Sequence, residues 1–240
     1  MSFLSGARAP AWPLAAPADG GPGNPWFSWR YVHDNAGDLL AALQHHAGLT
    51  ARAVLIALVI AVPLAVIAYW IKPLTGPILA LSGVLYTIPS LALLALLAPL
   101  LGTTTDTVVL IALVIYALLV LVRNSLAGLT QVPPEALDAA VGMGYGRYGR
   151  LWHVELPLAL PGILTGLRLA TVSTVALATV GGLIGQGGLG DLILGGFHNN
   201  FYKAEIMTAS ILCVALALVL DLILAGFGWL LTPWTRERRS

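Results

Sequence analysis

Charge and cysteine are both scarce in this chain. Cys213 is its one cysteine. A single thiol excludes an intrachain disulfide, and in an apolar setting it behaves as a small hydrophobe. Only 10% of the 240 residues are charged against 58% hydrophobic, and the mean hydropathy is +0.86. So few polar side chains cannot cover a soluble globule, and the lipid bilayer must cover much of the surface instead. The net charge is only +1, and nucleic acid is not an expected partner. There is no Gly-x-x-x-x-Gly-Lys-Ser/Thr phosphate loop, so the polypeptide is expected to hold no ATP and no cofactor of its own. Residues 1–50 contain no long apolar run and no basic segment leading into a short apolar core and cleavage site, so neither an extra span nor a secretory signal is expected there. His45 and His46 are adjacent, point to different faces of a helix and make a poor metal pair, so no metal is expected.

What the chain does have is long apolar runs. A membrane helix needs about 17 to 25 such residues. Candidates are Ala51 to Ile71, Ile78 to Leu101, Thr107 to Val122 with an extension through Asn124 and Ser125, Leu158 to Leu183, and Ile206 to Leu231. The expected fold is an all-α polytopic membrane protein of about five spans. Ahead of it, 1–25 is rich in Ala, Pro and Gly and reads as disordered, while 26–50 carries Leu39, Leu40, Leu43 and Ala47 at helical spacing and reads as an interfacial helix. The membrane domain then occupies 51–231, and 232–240 is a basic tail. Lys72, Arg123, Arg147, Arg150, Arg236, Arg238 and Arg239 fall on one side of these spans, against Arg8, Arg30, Arg52 and Lys203 on the other. The positive-inside rule puts the first set and the C-terminus in the cytosol and the N-terminus outside, with Tyr69, Trp70, Trp229 and Trp234 at the cytosolic interface.

The segment 133–155 between the third and fourth apolar runs is built as helix, bend, helix. Pro133 and Pro134 start it, Glu135 and Asp138 place negative charge against the positive end of the macrodipole, and Ala136, Leu137, Ala139 and Ala140 propagate it. Gly142, Gly144 and Gly146 then interrupt, one of them in the left-handed conformation that reverses a chain, before a second helix from about Tyr148 to Glu155. Arg147, Tyr148 and Arg150 are expected at the tip. The spacing is Asp138-Ala139-Ala140, three residues, Gly144, nine residues, then Val154-Glu155-Leu156-Pro157. This resembles the signature loop of bacterial ABC importer permeases, with Asp138 where that family more often has Glu. The resemblance implies the type I importer transmembrane fold and a coupling role for Glu135, Asp138, Ala139, Ala140, Gly144, Arg147, Arg150, Leu156 and Pro157. It also implies partners: a cytosolic ABC ATPase dimer that holds the ATP and Mg, a second permease copy or sister permease, and an extracytoplasmic substrate-binding protein, all at the bacterial cytoplasmic membrane.

Leu183 to Ile193 contains Gly185-Gln186-Gly187-Gly188-Leu189-Gly190-Asp191. It fits the dinucleotide fingerprint by spacing, but that chemistry needs a strand, a helix and a ribose-binding acid, whereas this run ends a membrane span. The run resembles instead the outer-side motif of permeases for glycine betaine, carnitine and choline, as do Thr87-Ile88-Pro89-Ser90-Leu91 and His46 ahead of Leu49-Thr50. The resemblance extends over about residues 45 to 230 and implies inward transport of such a compatible solute, with selection by an aromatic cage on the binding protein. Thr87, Pro89, Ser90, Gly185, Gly187, Gly188, Gly190 and Asp191 become candidates for the translocation path or gate, because non-helical backbone at membrane depth must be buried or face water. A glycine-rich turn is the plainer reading of the same residues. Methionine or another small solute is the alternative within the class, and an ion-coupled secondary transporter the alternative outside it, though no inverted repeat is visible. A structural membrane scaffold is the third.

Two further expectations concern packing. Pro63, Pro89 and Pro99 lie inside predicted spans and can kink them, while Gly162 with Gly166, and Gly181 with Gly185, give small faces for close helix approach. Arg168 lies 11 residues past Pro157 and Asp221 lies 11 before Thr232. Both therefore sit about 16 Å from the same ends of their helices. A lone charge at that depth is costly, so an intramembrane ion pair between them is expected, with a water-facing Arg168 and a protonated Asp221 as the alternative.

Overall fold

A computed structural model describes residues 24–102 and 106–235. Its ordered elements are helices: α1 Trp29–Asp34, α2 Ala36–Trp70, α3 Lys72–Thr87, α4 Ser90–Leu101, α5 Thr107–Thr130, α6 Pro134–Gly142, α7 Arg147–Arg150, α8 Leu156–Ala178, α9 Leu189–His198 and α10 Lys203–Leu231. Among the described residues, four helical stretches are long and apolar enough to cross a membrane, and a fifth crossing exists if α3 and α4 count as one bent span. The centre is α5, flanked by α2 and α8; α3 and α4 lie over α5, and α10 lies against α8 and α9.

Small residues set this arrangement. Ala53, Ala57, Ala61, Ala65 and Ala68 are all fully buried along one stripe of α2, which lets neighbouring backbones approach closely. Between α5 and α8 the approach is closer still: a Cβ on Gly162 would lie 2.7 Å from the Gly128 Cα, and one on Gly166 would lie 2.5 Å from the Asn124 Cβ. Leu218, Val219, Leu222 and Ile223 on α10 are exposed, as a lipid-facing surface requires.

Three expectations change. The proposed interfacial helix over 26–50 is not a separate element: α1 is six residues, and α2 then runs unbroken for 35 residues, so Leu39 to Thr50 lies within its first half. Asn35 supplies the break before it, whereas Gly48 lowers helix propensity by only about 1 kcal/mol and stops nothing. The second expected span, 78–101, is two helices bent by 89°. Ile88 is extended with ψ 125° because the Pro89 ring disfavours the helical conformation of the residue before it. Pro63 and Pro99, in contrast, remain inside α2 and α4. Finally, the fourth span starts well before Leu158, within one helical stretch from Arg147 to Ile184.

The expected disordered extension 1–25 and basic tail 232–240 lie largely outside the described residues. At the boundary, Asn24 is held in place: its Nδ2 donates to the Phe201 carbonyl at 2.6 Å and its Oδ1 accepts from the Lys203 N–H at 2.8 Å.

Candidate functional site

At one end of the bundle, α6 closes with a glycine-dependent reversal. The Tyr145 N–H reaches back to the Ala140 carbonyl at 3.0 Å and the Gly144 N–H to the Val141 carbonyl at 2.9 Å, the paired bonds of a Schellman ending. Of the three candidate glycines, Gly144 takes the left-handed conformation, at φ +84°. Gly142 stays in the helix, and Gly146 is extended ahead of α7. Glu135, Asp138 and Ala139 are exposed on α6 while Ala140 is buried.

Of the residues expected at the tip, Arg147 and Tyr148 are exposed and Arg150 is partly buried. Val141, Met143 and Tyr145 are exposed beside them, and the Arg147 and Arg150 head groups turn toward partners in the bundle. Arg147 sits 4.2 Å over the Trp70 ring, and Tyr148 meets the same ring edge-on at 5.5 Å. Arg150 donates Nε–H to Glu155 Oε1 at 2.7 Å. A cation finds better partners in an indole face and a buried carboxylate than at an apolar tip. Leu156 and Pro157 are partly buried at the start of α8. Glu155 itself, fully buried, escaped the sequence reading because it occupies the unconstrained place in Val154-Glu155-Leu156-Pro157.

At the opposite end, the glycines of 181–190 fold onto one another. A Cβ on Gly182 would lie 2.6 Å from the Gly190 carbonyl, one on Gly187 2.2 Å from the Gly182 nitrogen, and one on Gly190 2.2 Å from the Thr179 carbonyl oxygen. Gly187, Gly188 and Gly190 are thus packed against backbone rather than open to a path within this subunit, while Gly185 is exposed at φ +70°. Asp191 accepts from the N–H groups of Gly187 at 2.9 Å and Gly188 at 3.0 Å and so caps α9. Burial pushes its carboxyl up from the usual range, and those two N–H groups oppose the shift. His46, fully buried in α2, places Nδ1 3.0 Å from the Gly187 carbonyl oxygen and Nε2 3.0 Å from that of Val175. An imidazole with one N–H donates to one of these carbonyls and packs against the other, so it seats α2 against both α8 and the glycine turn. The sequence marked His46 only through its resemblance to the osmoprotectant permeases and named no partner for it.

Between the two ends, Thr87, Pro89 and Ser90 lie at the α3–α4 bend. Tyr116 donates its hydroxyl to the Ile88 carbonyl freed by that bend, and a small crevice beside it is lined by Ser90, Leu94, Val109, Leu113, Tyr116 and Val180. Arg168 and Asp221 are brought together: Nε donates to Oδ1 at 2.8 Å and Nη2 to Oδ2 at 2.7 Å, a two-pronged pair between α8 and α10. Among the described residues no cluster of His, Cys, Asp and Glu could hold a metal.

Residues 53–237 match the family described as the binding-protein-dependent transport system inner membrane component. The chain belongs to this family. Its relatives include the osmoprotectant import permease protein OsmW of Salmonella typhimurium, 38% identical over 85% of this chain and 96% of that one. The glycine betaine/carnitine/choline transport system permease protein OpuCD of Bacillus subtilis is 34% identical over 83% and 86%. The choline transport system permease protein OpuBB of the same organism is 35% identical over 87% and 95%. Among solved structures, an inward-facing form of the MetNI methionine ABC transporter aligns with 83% of this chain and 98% of its own at TM-score 0.73 and 22% identity, a likeness of fold. This family member is thus a multi-pass inner-membrane permease subunit of the ABC importer class, with the all-α type I fold. That membership sets aside the secondary-transporter and scaffold readings.

Proposed function

We propose that this permease carries a compatible solute of the glycine betaine, choline and carnitine type into the cell, driven by a partner ATPase. The segment 133–155 transmits closure of that ATPase to the spans. The observation that carries this reading is the exposed apolar tip, Val141, Met143 and Tyr145, held on a helix with a Schellman ending at the base of α8. Apolar side chains exposed beyond the ends of the spans suit a protein partner, and Glu135 and Asp138 beside them supply its charge contacts. ATP and Mg belong to that partner. A binding protein delivers the solute from outside, and a second permease copy completes the pathway. The bend at Thr87, Pro89 and Ser90, with Gly185 and Asp191 above it, is the gate region in this scheme. The loop and the C-terminus face the cytosol, and the Asn199 end faces outward.

The solute class rests on what the relatives are named for; the methionine transporter contributes fold alone. The test is reconstitution of the permease with its ATPase and binding protein in proteoliposomes, followed by ATP-driven uptake of labelled glycine betaine, choline, carnitine and methionine. Uptake of one or more of the first three with stimulated hydrolysis is expected. Uptake of methionine alone overturns the solute class, and no ATP-driven uptake of any of them overturns the reading. Orientation is checked in a Cys213→Ser background with an impermeant thiol reagent: Asn199→Cys is expected to label in intact spheroplasts, and Met143→Cys only after lysis.

A further inference from the structure

The turn that joins the loop to the fourth span is wider than an α-helix. The Arg150 N–H bonds four residues back to the Gly146 carbonyl, but the Leu156 N–H bonds five residues back to the Leu151 carbonyl, so Leu151–Glu155 forms one π-helical turn. It ends two residues before Pro157. In an α-helix the Pro157 ring would press on the carbonyl four residues earlier, and the extra residue in the turn relieves that contact.

The wide turn and the Arg150–Glu155 pair depend on each other. Residues five apart on an α-helix point about 140° away from one another, whereas i to i+5 bonding brings them nearly into line. Arg150 Nε can therefore reach Glu155 Oε1 at 2.7 Å only while the turn is π-helical. Glu155 is fully buried and its second oxygen, Oε2, has no hydrogen-bond partner, so all its compensation runs through that one guanidinium. If the turn slipped to α, the carboxylate would be stranded and everything ahead of residue 151 would rotate by about 100°, one α-helical residue. Arg147 and Tyr148 would then leave Trp70.

We infer that Glu155 is a positioning residue for coupling: through Arg150 it locks the π-turn and so sets the rotational angle of the coupling loop on the fourth span. This rests on the coupling role proposed above, and the experiment separates the two. In a Cys213→Ser background, Trp70→Cys with Tyr148→Cys is joined by a short bifunctional thiol reagent, which reads the loop's angle without any transport. Glu155→Gln keeps an oxygen for Arg150 and should cross-link like the parent. Glu155→Leu keeps bulk and burial but loses the pair; its cross-linking should fall about fivefold, and ATP consumed per solute imported should rise on the order of tenfold, as misplacement of a distant positioning group does. Where Glu155→Leu fails to assemble, the double variant Arg150→Leu with Glu155→Leu strands no charge and takes its place, with the same losses expected. Parental cross-linking and parental coupling in either leucine variant overturn the inference. Loss of cross-linking in those variants upholds it even if the parent imports none of the solutes, an outcome that would sink the proposed function alone.

Discussion

The two glycine-bearing segments of this permease share a need for positive φ but differ in how tightly their glycines are packed. In the loop at 142–146 a Cβ on any of the three glycines would meet nothing within 4 Å, and Gly144 alone is demanded, by its φ of +84°. At the outer turn φ is ordinary for Gly182, Gly187 and Gly190, yet an added Cβ would come within 2.2 to 2.6 Å of backbone. The loop needs freedom of conformation alone, whereas the outer turn needs absence of volume at Gly182, Gly187 and Gly190 as well as positive φ at Gly185 and Gly188. The loop can thus keep its shape with surface open for a partner, whereas the outer turn is a closed backbone knot. α8 spans the distance between them.

The sharpest way to break this contrast is Gly190→Ala. Its Cβ would face the Thr179 carbonyl oxygen, which is backbone and cannot rotate aside, so a loss of about 3 kcal/mol is expected in thermal unfolding of the detergent-purified protein. A wild-type melting temperature would show that the turn is not closed. His46→Leu should follow. It removes the imidazole's hydrogen bond to one of the two carbonyls that face its nitrogens, and a loss of about 1 to 3 kcal/mol is expected in the same assay. His46→Gln, which can still donate to one carbonyl, should recover part of that loss.

The pair joining α8 to α10 asks whether the two ends are mechanically linked through one helix. Arg168→Ala and Asp221→Ala should each lower folded yield, and the double variant should recover some of it, giving a coupling on the order of 1 kcal/mol or more. Strictly additive losses would mean that the two-pronged contact contributes nothing. In the loop, Gly144→Ala should cost only about 1 kcal/mol, the left-handed penalty, because the space is open. Gly144→Val, with its branched Cβ, should insert normally and lose solute-stimulated ATP hydrolysis. Smallest of all, Gly142→Ala lies inside α6 with free space around it and should be neutral or stabilising by about 0.5 kcal/mol. If Gly142→Ala uncouples transport as Gly144→Val does, the loop's glycines are demanded for something other than backbone angle.

Much of this molecule can be read from its residues in order. Long apolar runs give the spans, because a bilayer admits little else. Pro133-Pro134 and Gly144 mark the start and reversal of α6, since both act through local backbone geometry, and Arg168 with Asp221 match in depth because helical rise converts sequence distance into height. What stayed hidden was everything that depends on which surfaces meet. No local rule tells that Leu39 to Thr50 continues into α2, that the glycines of 181–190 are packed against their own backbone, or that His46 lies between two carbonyls far away in sequence. The folded-back Arg147 and the Arg150–Glu155 pair belong with these, for their partners are an indole from another helix and a carboxylate that an extra residue in one turn brings into reach. Hydrophobicity and backbone preference are properties of single residues and short segments, so the sequence by itself determined the apolar cores of the spans and the reversal of the loop. Close contacts and buried polar partners are properties of pairs, and only the tertiary structure decides which pairs form.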